Sequence, residues 1–208
     1  VDRFWQTPHF EIMLDENAFL ARLYLEAYQA SARPRYAAIA RAILDDLLAR
    51  FRLPDGGFAS ALDSESERRD GRYYTWTAEE LRSALGAEAA KPLIAAYLDE
   101  AHGLVEGRSV LRLLDRPEGL LQTQERLRDG RLRLIAARAK RVPPMRDDKV
   151  LTSWNALAVS AFAKAAQVLG DDRYRRVAQV ETGRLLGPTA GRLVHSRLAG
   201  KTTGDVFL

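Results

Sequence analysis

The chain has 208 residues, of which 47% are hydrophobic and 29% charged, a composition typical of globular proteins that bury a core. It contains no cysteine, which excludes disulfide bonds, thiolate metal sites and cysteine nucleophiles within it. The formal net charge is +4, but acids are interleaved with arginines along the whole chain, and this pattern disfavours a nucleic-acid partner.

No apolar stretch approaches the roughly 20 residues of a membrane span, so we predict no membrane association. The first residues, Val1 to Trp5, are typical neither of a signal peptide nor of a natural start, and we expect the sequence to come from within a longer protein. We also expect a cytoplasmic location, no bound metal and no cofactor.

The first predicted element is a helix over 17–30. Its interior polar residues, Arg22, Glu26 and Gln29, are spaced by four and three, which places them on one narrow stripe. The other positions are mostly apolar, so this helix is predicted to be buried on most sides. A second helix, from Arg35 to about Phe51, has a wider polar face and should lie outside the first. Pro-Asp-Gly-Gly at 54–57 ends it.

A turn-and-strand excursion follows over about 57–76. Alternation in residues 72–76 predicts a strand there. Thr77 then begins a capping box, Thr-Ala-Glu-Glu, which predicts a helix N-terminus. Further helices are predicted from about 88 to 101 and, strongly basic, from about 118 to 141.

The segment 155–186 repeats the segment 17–48 without a gap. Asn17 aligns with Asn155 and Tyr36 with Tyr174, and the polar stripe of the first helix recurs at the same offsets. Each copy therefore predicts an inner helix, a short turn and an outer helix. The copies are far apart in sequence, so we expect at least one hairpin between them in space.

Helical hairpins of this kind build either solenoids or closed toroids. Long acidic and aromatic loops favour the toroid. We therefore predict an all-α fold over 1–208 as a single domain: a partial (α/α)6 toroid with a small β-hairpin insertion.

Three sequence blocks carry a resemblance to a known family: WQTPHFEIML at 5–14, ALDSE with GRYYTW within 61–76, and DDKVLTSWN at 147–155. With them the chain resembles the thioredoxin-domain-containing DUF255 (YyaL-like) family over nearly its whole length. The resemblance implies a six-hairpin glycosidase-like toroid that follows a thioredoxin-like domain, which would be a partner of this segment. The chain departs from the family pattern at Asp15, Glu16 and Ala156.

Five residues in three places along the chain are the candidate catalytic residues: His9 with Glu11, Asp63, and Asp147 with Asp148. His9 and Glu11 form a possible proton-transfer pair, although Glu11 could equally complement a helix terminus. Asp63 follows an apolar run and alternates with Glu65 and Glu67 on the excursion, and paired carboxylates are the groups that glycoside hydrolysis uses. The same acidic stretch is also typical of a solvated loop. Asp147 and Asp148 precede the second inner helix, where with Lys149 they could bind hydroxyls, activate water or hold a divalent cation. Alternatively, they complement the helix terminus and form a local Asp–Lys pair.

The candidate substrate-binding residues are aromatic or polar neighbours of these acids: Trp5, Tyr74, Trp76, Lys149, Trp154 and Asn155. Aromatic faces stack on sugars, and alternation would place Tyr74 and Trp76 on one side of the predicted strand. Asn17 and Asn155 share a position in the repeat, which favours a role in binding loop backbone for both.

Two functions remain open. The first is a carbohydrate-binding or carbohydrate-processing domain of hydrolase or epimerase type, with a carbohydrate or another small molecule as ligand. The second is a non-catalytic helical scaffold that is attached to a thioredoxin-like domain.

Overall fold

The computed structural model describes residues 1–114, 127–187, 193–199 and 201–203. It divides into two compact units. The first contains Val1–Glu11 and Asp63–Met145, and the second contains Ile12–Leu62 and Arg146–Leu208. In the described part of the chain, no helix combines the length and the apolar character that crossing a membrane requires.

Seven α-helices occur in the described residues. In chain order they are α1 Leu14–Ser31, α2 Pro34–Asp46, α3 Ala78–Leu85, α4 Ala87–Tyr97, α5 Arg128–Arg138, α6 Thr152–Leu169 and α7 Asp172–Leu186. A π-helical segment, Leu47–Phe51, continues α2. The strands are short: β1 Ile12–Met13, β2 Ala61–Leu62, β3 Glu65–Ser66, β4 Arg69–Asp70, β5 Thr75–Trp76, β6 Ser109–Val110, β7 Arg146–Asp147, β8 Val150–Leu151, β9 Ser196–Leu198 and β10 Lys201–Thr203. The predicted all-α class, built of helical hairpins with small β additions, is confirmed.

The second unit consists of two helical hairpins, α1–α2 and α6–α7. The inner helices α1 and α6 have 18 residues each. They lie directly against one another, and Arg22 in α1 donates a hydrogen bond to Ser160, its equivalent 138 residues later in α6. The expectation of an intervening hairpin is therefore wrong. The residues between the copies are accommodated elsewhere, mostly in the first unit, because the sequence distance between two segments does not fix their distance in space.

A single apolar cluster holds the two hairpins together. Its fully buried members include Phe51 and Phe58 from the first hairpin and Phe162 and Tyr174 from the second. The Phe58 and Phe162 rings stack with centroids 5.5 Å apart. Burial of several large apolar side chains contributes about 1.5–3 kcal/mol for each of them, so this cluster is the main stabilising feature of the unit.

The inner helix α1 is less buried than its sequence predicts. Leu14, Ala18, Ala21 and Leu25 are fully buried, but Phe19, Leu20 and Leu23 are exposed on another face. The prediction of burial on most sides is wrong because α1 has described helices of its own unit, α2 and α6, against only part of its circumference.

Short antiparallel strands lie beside the N-termini of the two inner helices. β2 pairs with both β1 and β7, so that Ala61 lies between Met13 and Asp147. A second sheet joins β8, β9 and β10. These pairings bring the segments that precede α1 and α6 to the same end of the unit.

The first unit contains α3, α4 and α5 around a second apolar cluster that includes Trp76 and Leu81. The capping box at Thr77 is confirmed, since Thr77 Oγ1 accepts the Glu80 N–H and the Glu80 side chain accepts the Thr77 N–H. The helix predicted over 88–101 ends at Tyr97. The basic helix is described over Arg128–Arg138, and its predicted start, at 118–126, lies outside the described residues.

The predicted strand over 72–76 is wrong except at its end. Residues 71–74 form a turn in which the N–H groups of Tyr74 and Thr75 both donate to the Gly71 carbonyl at 3.0 Å. Gly71 has a φ of +64°, which a glycine adopts readily. The turn overrides the alternation, and only Thr75–Trp76 pairs as a strand, with β6.

Candidate functional site

A cleft of about 560 Å³ opens in the second unit beside the N-terminus of α6 and the C-terminus of α7. The loop 53–57 forms one wall. Six charged residues line it, three arginines and three carboxylates: Asp55, Arg146, Asp148, Glu181, Arg184 and Arg197. The formal charges of this lining balance, and the cleft therefore offers both hydrogen-bond donors and acceptors without a net charge.

Asp148 is one of the two exposed carboxylates of the cleft, with Asp55. Arg146 donates from Nε to its Oδ1 at 2.5 Å, and the carboxylate remains 49% exposed. Arg146 also donates to the Arg50 carbonyl at 3.1 Å, which fixes the guanidinium. An arginine held in this way presents its remaining donors in a constant geometry.

Glu181 is the buried carboxylate of the cleft, with a side chain only 2% exposed. Its Oε2 accepts the Gly57 N–H at 2.8 Å, and Arg52 and Arg184 lie within 3.5 and 3.7 Å of its oxygens. Sequence reasoning missed Glu181 because it lies on the outer helix α7, where a lone glutamate is usually exposed. The sequence signal that could have indicated such a residue is the Gly-Gly turn at 56–57, because its buried backbone N–H groups need hydrogen-bond acceptors.

Arg184 closes the other side of the cleft. It donates to the Asp55 carbonyl at 2.7 Å. Gly56 lies directly against it, since a Cβ at this position would come within 2.3 Å of the guanidinium. Glycine is therefore required for the loop to approach Arg184 so closely.

Asn155 lines the cleft, but its side-chain amide is hydrogen-bonded to backbone groups. It is 1% exposed, and its Nδ2 donates to the carbonyls of Phe58 and Leu151, both at 3.0 Å. Both donors of the amide are used, as the backbone-binding interpretation predicts. Its equivalent Asn17 donates to the Met13 carbonyl at 2.8 Å. Asn155 shapes the site and leaves ligand binding to its charged neighbours.

Asp147 and Lys149 form a separate pair beside the cleft. Their Oδ2 and Nζ atoms are 3.0 Å apart, and the Lys149 N–H also donates to Asp147. Burial alone would raise the pKa of Asp147, but the hydrogen bonds from Lys149 outweigh it and the pKa is lowered. Asp147 is thus an ionised carboxylate at neutral pH, which suits a base or an electrostatic role rather than a general acid.

The remaining candidate catalytic residues belong to the first unit. His9 Nε2 and Glu11 Oε2 are 3.3 Å apart in an exposed pair. Asp63 Oδ1 accepts the Glu65 N–H at 3.1 Å, an arrangement that shapes its own loop. The structure therefore brings Asp148 and Asn155 together in one cleft, and His9 and Glu11 together in another unit.

Three of the four aromatic candidates, Tyr74, Trp76 and Trp154, pack against other side chains of the protein. Trp76 is 5% exposed within an apolar cluster and is covered by the Arg141 guanidinium, 3.9 Å from the ring centroid. Trp154 packs against the core of the second unit. Tyr74 stacks on Phe10 at 6.1 Å, whereas Trp5 is 81% exposed. The predicted common face of Tyr74 and Trp76 does not form, because Tyr74 lies in the turn.

Within the described ranges, no group of three or more histidine, aspartate or glutamate side chains is arranged to hold a metal ion. Charged groups in the cleft instead pair with one another.

The chain is similar to spermatogenesis-associated protein 20 from three mammals. It is 34% identical to the Homo sapiens protein over 206 residues, which cover 83% of this chain and 26% of that protein. Identity to the Mus musculus protein is 32%, covering 99% of this chain and 30% of the relative. These proteins are homologues, and the chain spans about a quarter to a third of their length. No protein-family model matches it.

Two more distant likenesses accompany these homologues. An uncharacterised protein of Caenorhabditis elegans is 25% identical over 203 residues, 82% of this chain and 28% of that protein. A crystal structure of D-mannose isomerase aligns with 91% of this chain and 45% of its own, at 12% identity and a TM-score of 0.30.

Proposed function

We propose that the second unit binds a neutral carbohydrate in the cleft between the 53–57 loop and helices α6 and α7. The observation that carries this proposal is the charge-balanced lining of three arginines and three carboxylates around about 560 Å³. A polyhydroxylated ligand needs donors and acceptors in comparable number, and ligand sites commonly enclose 300–1,000 Å³.

The balanced charge of the lining favours a neutral ligand over an anionic one. Each arginine of the cleft already has a carboxylate or carbonyl partner, such as Asp148 for Arg146 and Asp55 for Arg184. A phosphate would have to compete with these partners, whereas a hydroxyl can join them as a further donor or acceptor.

The two adjacent hairpins also support the finer proposal of an arc from an (α/α) toroid, whose inner-helix N-termini border the ligand site. In the second unit, β1, β2 and β7 bring the segments before α1 and α6 to the same end. Carbohydrate processing of hydrolase or epimerase type would then draw on Asp148 and Asp147, the two carboxylates that precede α6.

Isothermal titration calorimetry against a panel of neutral monosaccharides and disaccharides, with the matching sugar phosphates beside them, tests the proposal. We expect saturable binding of at least one neutral sugar and no tighter binding of its phosphate ester. Preference for the phosphate, or no binding across the neutral sugars, would exclude a neutral carbohydrate site.

The second candidate is a non-catalytic scaffold that carries a thioredoxin-like domain, as in the family the sequence resembles. The burial of Trp76 in an apolar cluster and the packing of the half-buried Trp154 against the core favour it, because both rings then contact apolar side chains of the protein. If none of the sugars in the calorimetric panel binds, the scaffold function is favoured.

A further inference from the structure

Each oxygen of the Glu181 carboxylate faces one arginine. Oε1 lies 3.5 Å from Arg52 Nη2, and Oε2 lies 3.7 Å from Arg184 Nε. The glutamate side chain is 2% exposed, whereas the side chains of Arg52 and Arg184 are 43% and 47% exposed. A buried negative charge therefore lies beside two guanidinium groups that solvent reaches.

Glu181 is the carboxylate that offsets the charge of Arg184. In the part of the chain that the structure describes, Arg184 forms no ion pair with any other carboxylate. Its Nη1 donates to Asp55, but to the backbone carbonyl, at 2.7 Å. The cleft arginine Arg146 pairs instead with Asp148. The balance of charge around Arg184 consequently depends on one buried side chain.

Burial makes the charge of Glu181 effective. Water and salt screen an exposed charge, such as the carboxylate of Asp55, much more than a charge that protein encloses. Without the charge of Glu181, the cleft lining would hold three arginines and two carboxylates, an excess of one positive charge. A guanidinium with no carboxylate beside it binds phosphate oxygens through charge-assisted hydrogen bonds.

We infer that Glu181 determines which class of sugar the cleft accepts, because it offsets the charge of Arg184 and thereby disfavours phosphorylated ligands. This inference rests on the proposed function, since it names the residue that makes a neutral sugar the preferred ligand. Glu181 acts through Arg184 and is a positioning residue. Its Oε2 also accepts the Gly57 N–H at 2.8 Å, so the same side chain holds the loop that lines the cleft.

Isothermal titration calorimetry of the whole chain with inorganic phosphate tests the inference in Glu181→Gln. The amide oxygen of glutamine can still accept the Gly57 N–H, so this variant removes the charge and retains the loop contact. We expect phosphate to bind Glu181→Gln about tenfold or more tightly than the wild type. The matched control is Glu88→Gln, which removes the same charge from a glutamate that is 84% exposed on α4. It should bind phosphate like the wild type.

Glu181→Asp separates the effect of charge from that of geometry. It keeps the carboxylate on a side chain one methylene shorter, so it should keep the phosphate affinity of the wild type even if the hydrogen bond to Gly57 is lost. For the neutral sugar that the wild type binds best, the affinity relative to the phosphate ester should fall about tenfold in Glu181→Gln and stay unchanged in Glu181→Asp. A loosened fold would weaken both ligands alike and leave this ratio unchanged.

Three results would overturn the inference: unchanged phosphate affinity in Glu181→Gln, an equal gain in Glu88→Gln, or an equal gain in Glu181→Asp. Failure of the proposed function gives a different result. If Glu181→Gln alone gains phosphate affinity but the wild type binds no neutral sugar, the carbohydrate site is wrong and the exclusion of anions by Glu181 is supported.

Discussion

Asn155 binds both sides of the Phe58 residue, with its Oδ1 accepting the Phe58 N–H at 2.7 Å and its Nδ2 donating to the Phe58 carbonyl at 3.0 Å. The two residues lie 97 positions apart, on different hairpins. The side-chain amide therefore takes the place of a neighbouring strand for the Phe58 backbone. It also fixes the end of the 53–57 loop that lines the cleft.

Replacing Asn155 with alanine should lower the free energy of unfolding by about 2–4 kcal/mol, because the Phe58 N–H and C=O would stay buried without a partner. Asn17→Ala is the matched control, since Asn17 occupies the equivalent position but, among the described residues, its side chain hydrogen-bonds only to Met13, at a half-buried site. We expect about 1 kcal/mol or less there. Urea denaturation measures the unfolding free energy of both variants. Equal losses of stability would show that the two hydrogen bonds between Asn155 and Phe58 do not stabilise the fold.

Glu181→Ala should cost about 1–3 kcal/mol of unfolding free energy, because it removes the acceptor for the buried Gly57 N–H. Glu88→Ala removes a glutamate that is 84% exposed and paired only with Lys91 on α4, and a change within about 0.5 kcal/mol is expected. If the two variants were equally stable, Glu181 would not hold the loop.

Gly71→Ala should be more destabilising than Gly86→Ala. Both glycines have a positive φ, +64° and +88°, so both substitutions introduce backbone strain. Only at Gly71 would the new Cβ meet a ring, 2.4 Å from Phe10 Cε2; a Cβ at Gly86 would have no described atom within 4 Å beyond its chain neighbours. We expect a further loss of about 1–3 kcal/mol at Gly71 in thermal or urea unfolding. Similar losses would contradict the close packing of Phe10.

The stabilisation by Glu80 should depend on pH. Burial raises its pKa, but hydrogen bonds from Arg108 and the Thr77 N–H, with the charge of Arg141 nearby, outweigh this and hold the pKa below its ordinary value of 4.5. A lowered pKa in the folded state contributes stability above the unfolded pKa, and this contribution is lost as the pH falls through the folded value.

Glu80→Gln keeps the helix cap and removes the charge, so it should be less stable than the wild type at pH 7 and should approach it as the pH falls below 4.5. Glu79→Gln, on the exposed side of α3, controls for a general effect of charge. Urea midpoints at pH 7 and pH 3 provide the comparison. A gap between wild type and Glu80→Gln that is unchanged at pH 3 would contradict the lowered pKa.

Local signals in the sequence predicted much of the fold. The repeat located both hairpins of the second unit, and the Thr-Ala-Glu-Glu box located the start of α3, because these features depend on residues close in sequence. The strand over 72–76 failed for the same reason: its alternation is local, but Gly71 turns the chain before pairing begins. The burial of α1 depends on which helices lie beside it, and periodicity does not contain that information.

The site was predicted only in part. Asp148 and Asn155, which line the cleft, belong to the sequence block at 147–155. Asn155 was predicted to bind substrate and, from its equivalence with Asn17, to bind loop backbone; its amide donors bind backbone. Glu181, Arg184 and Arg197 were missed, since they enter the cleft from α7 and β9 through tertiary packing. Aromatic residues were expected to line a pocket, but Trp76 is buried in one apolar core and the half-buried Trp154 packs against the other.

The proposed carbohydrate site is tested most directly by titrating the best-binding neutral sugar into the wild type, Asp148→Asn and Asp172→Asn. Asp148 is an exposed carboxylate of the cleft, and Asp172 is an exposed aspartate at the opposite end of α7 from the cleft, paired with Arg175. A hydrogen bond to a charged group contributes about 1.5–3 kcal/mol, so Asp148→Asn should weaken binding about tenfold or more. Asp172→Asn should bind like the wild type. Equal affinity of all three proteins, or binding in none of them, would contradict a carbohydrate site in this cleft.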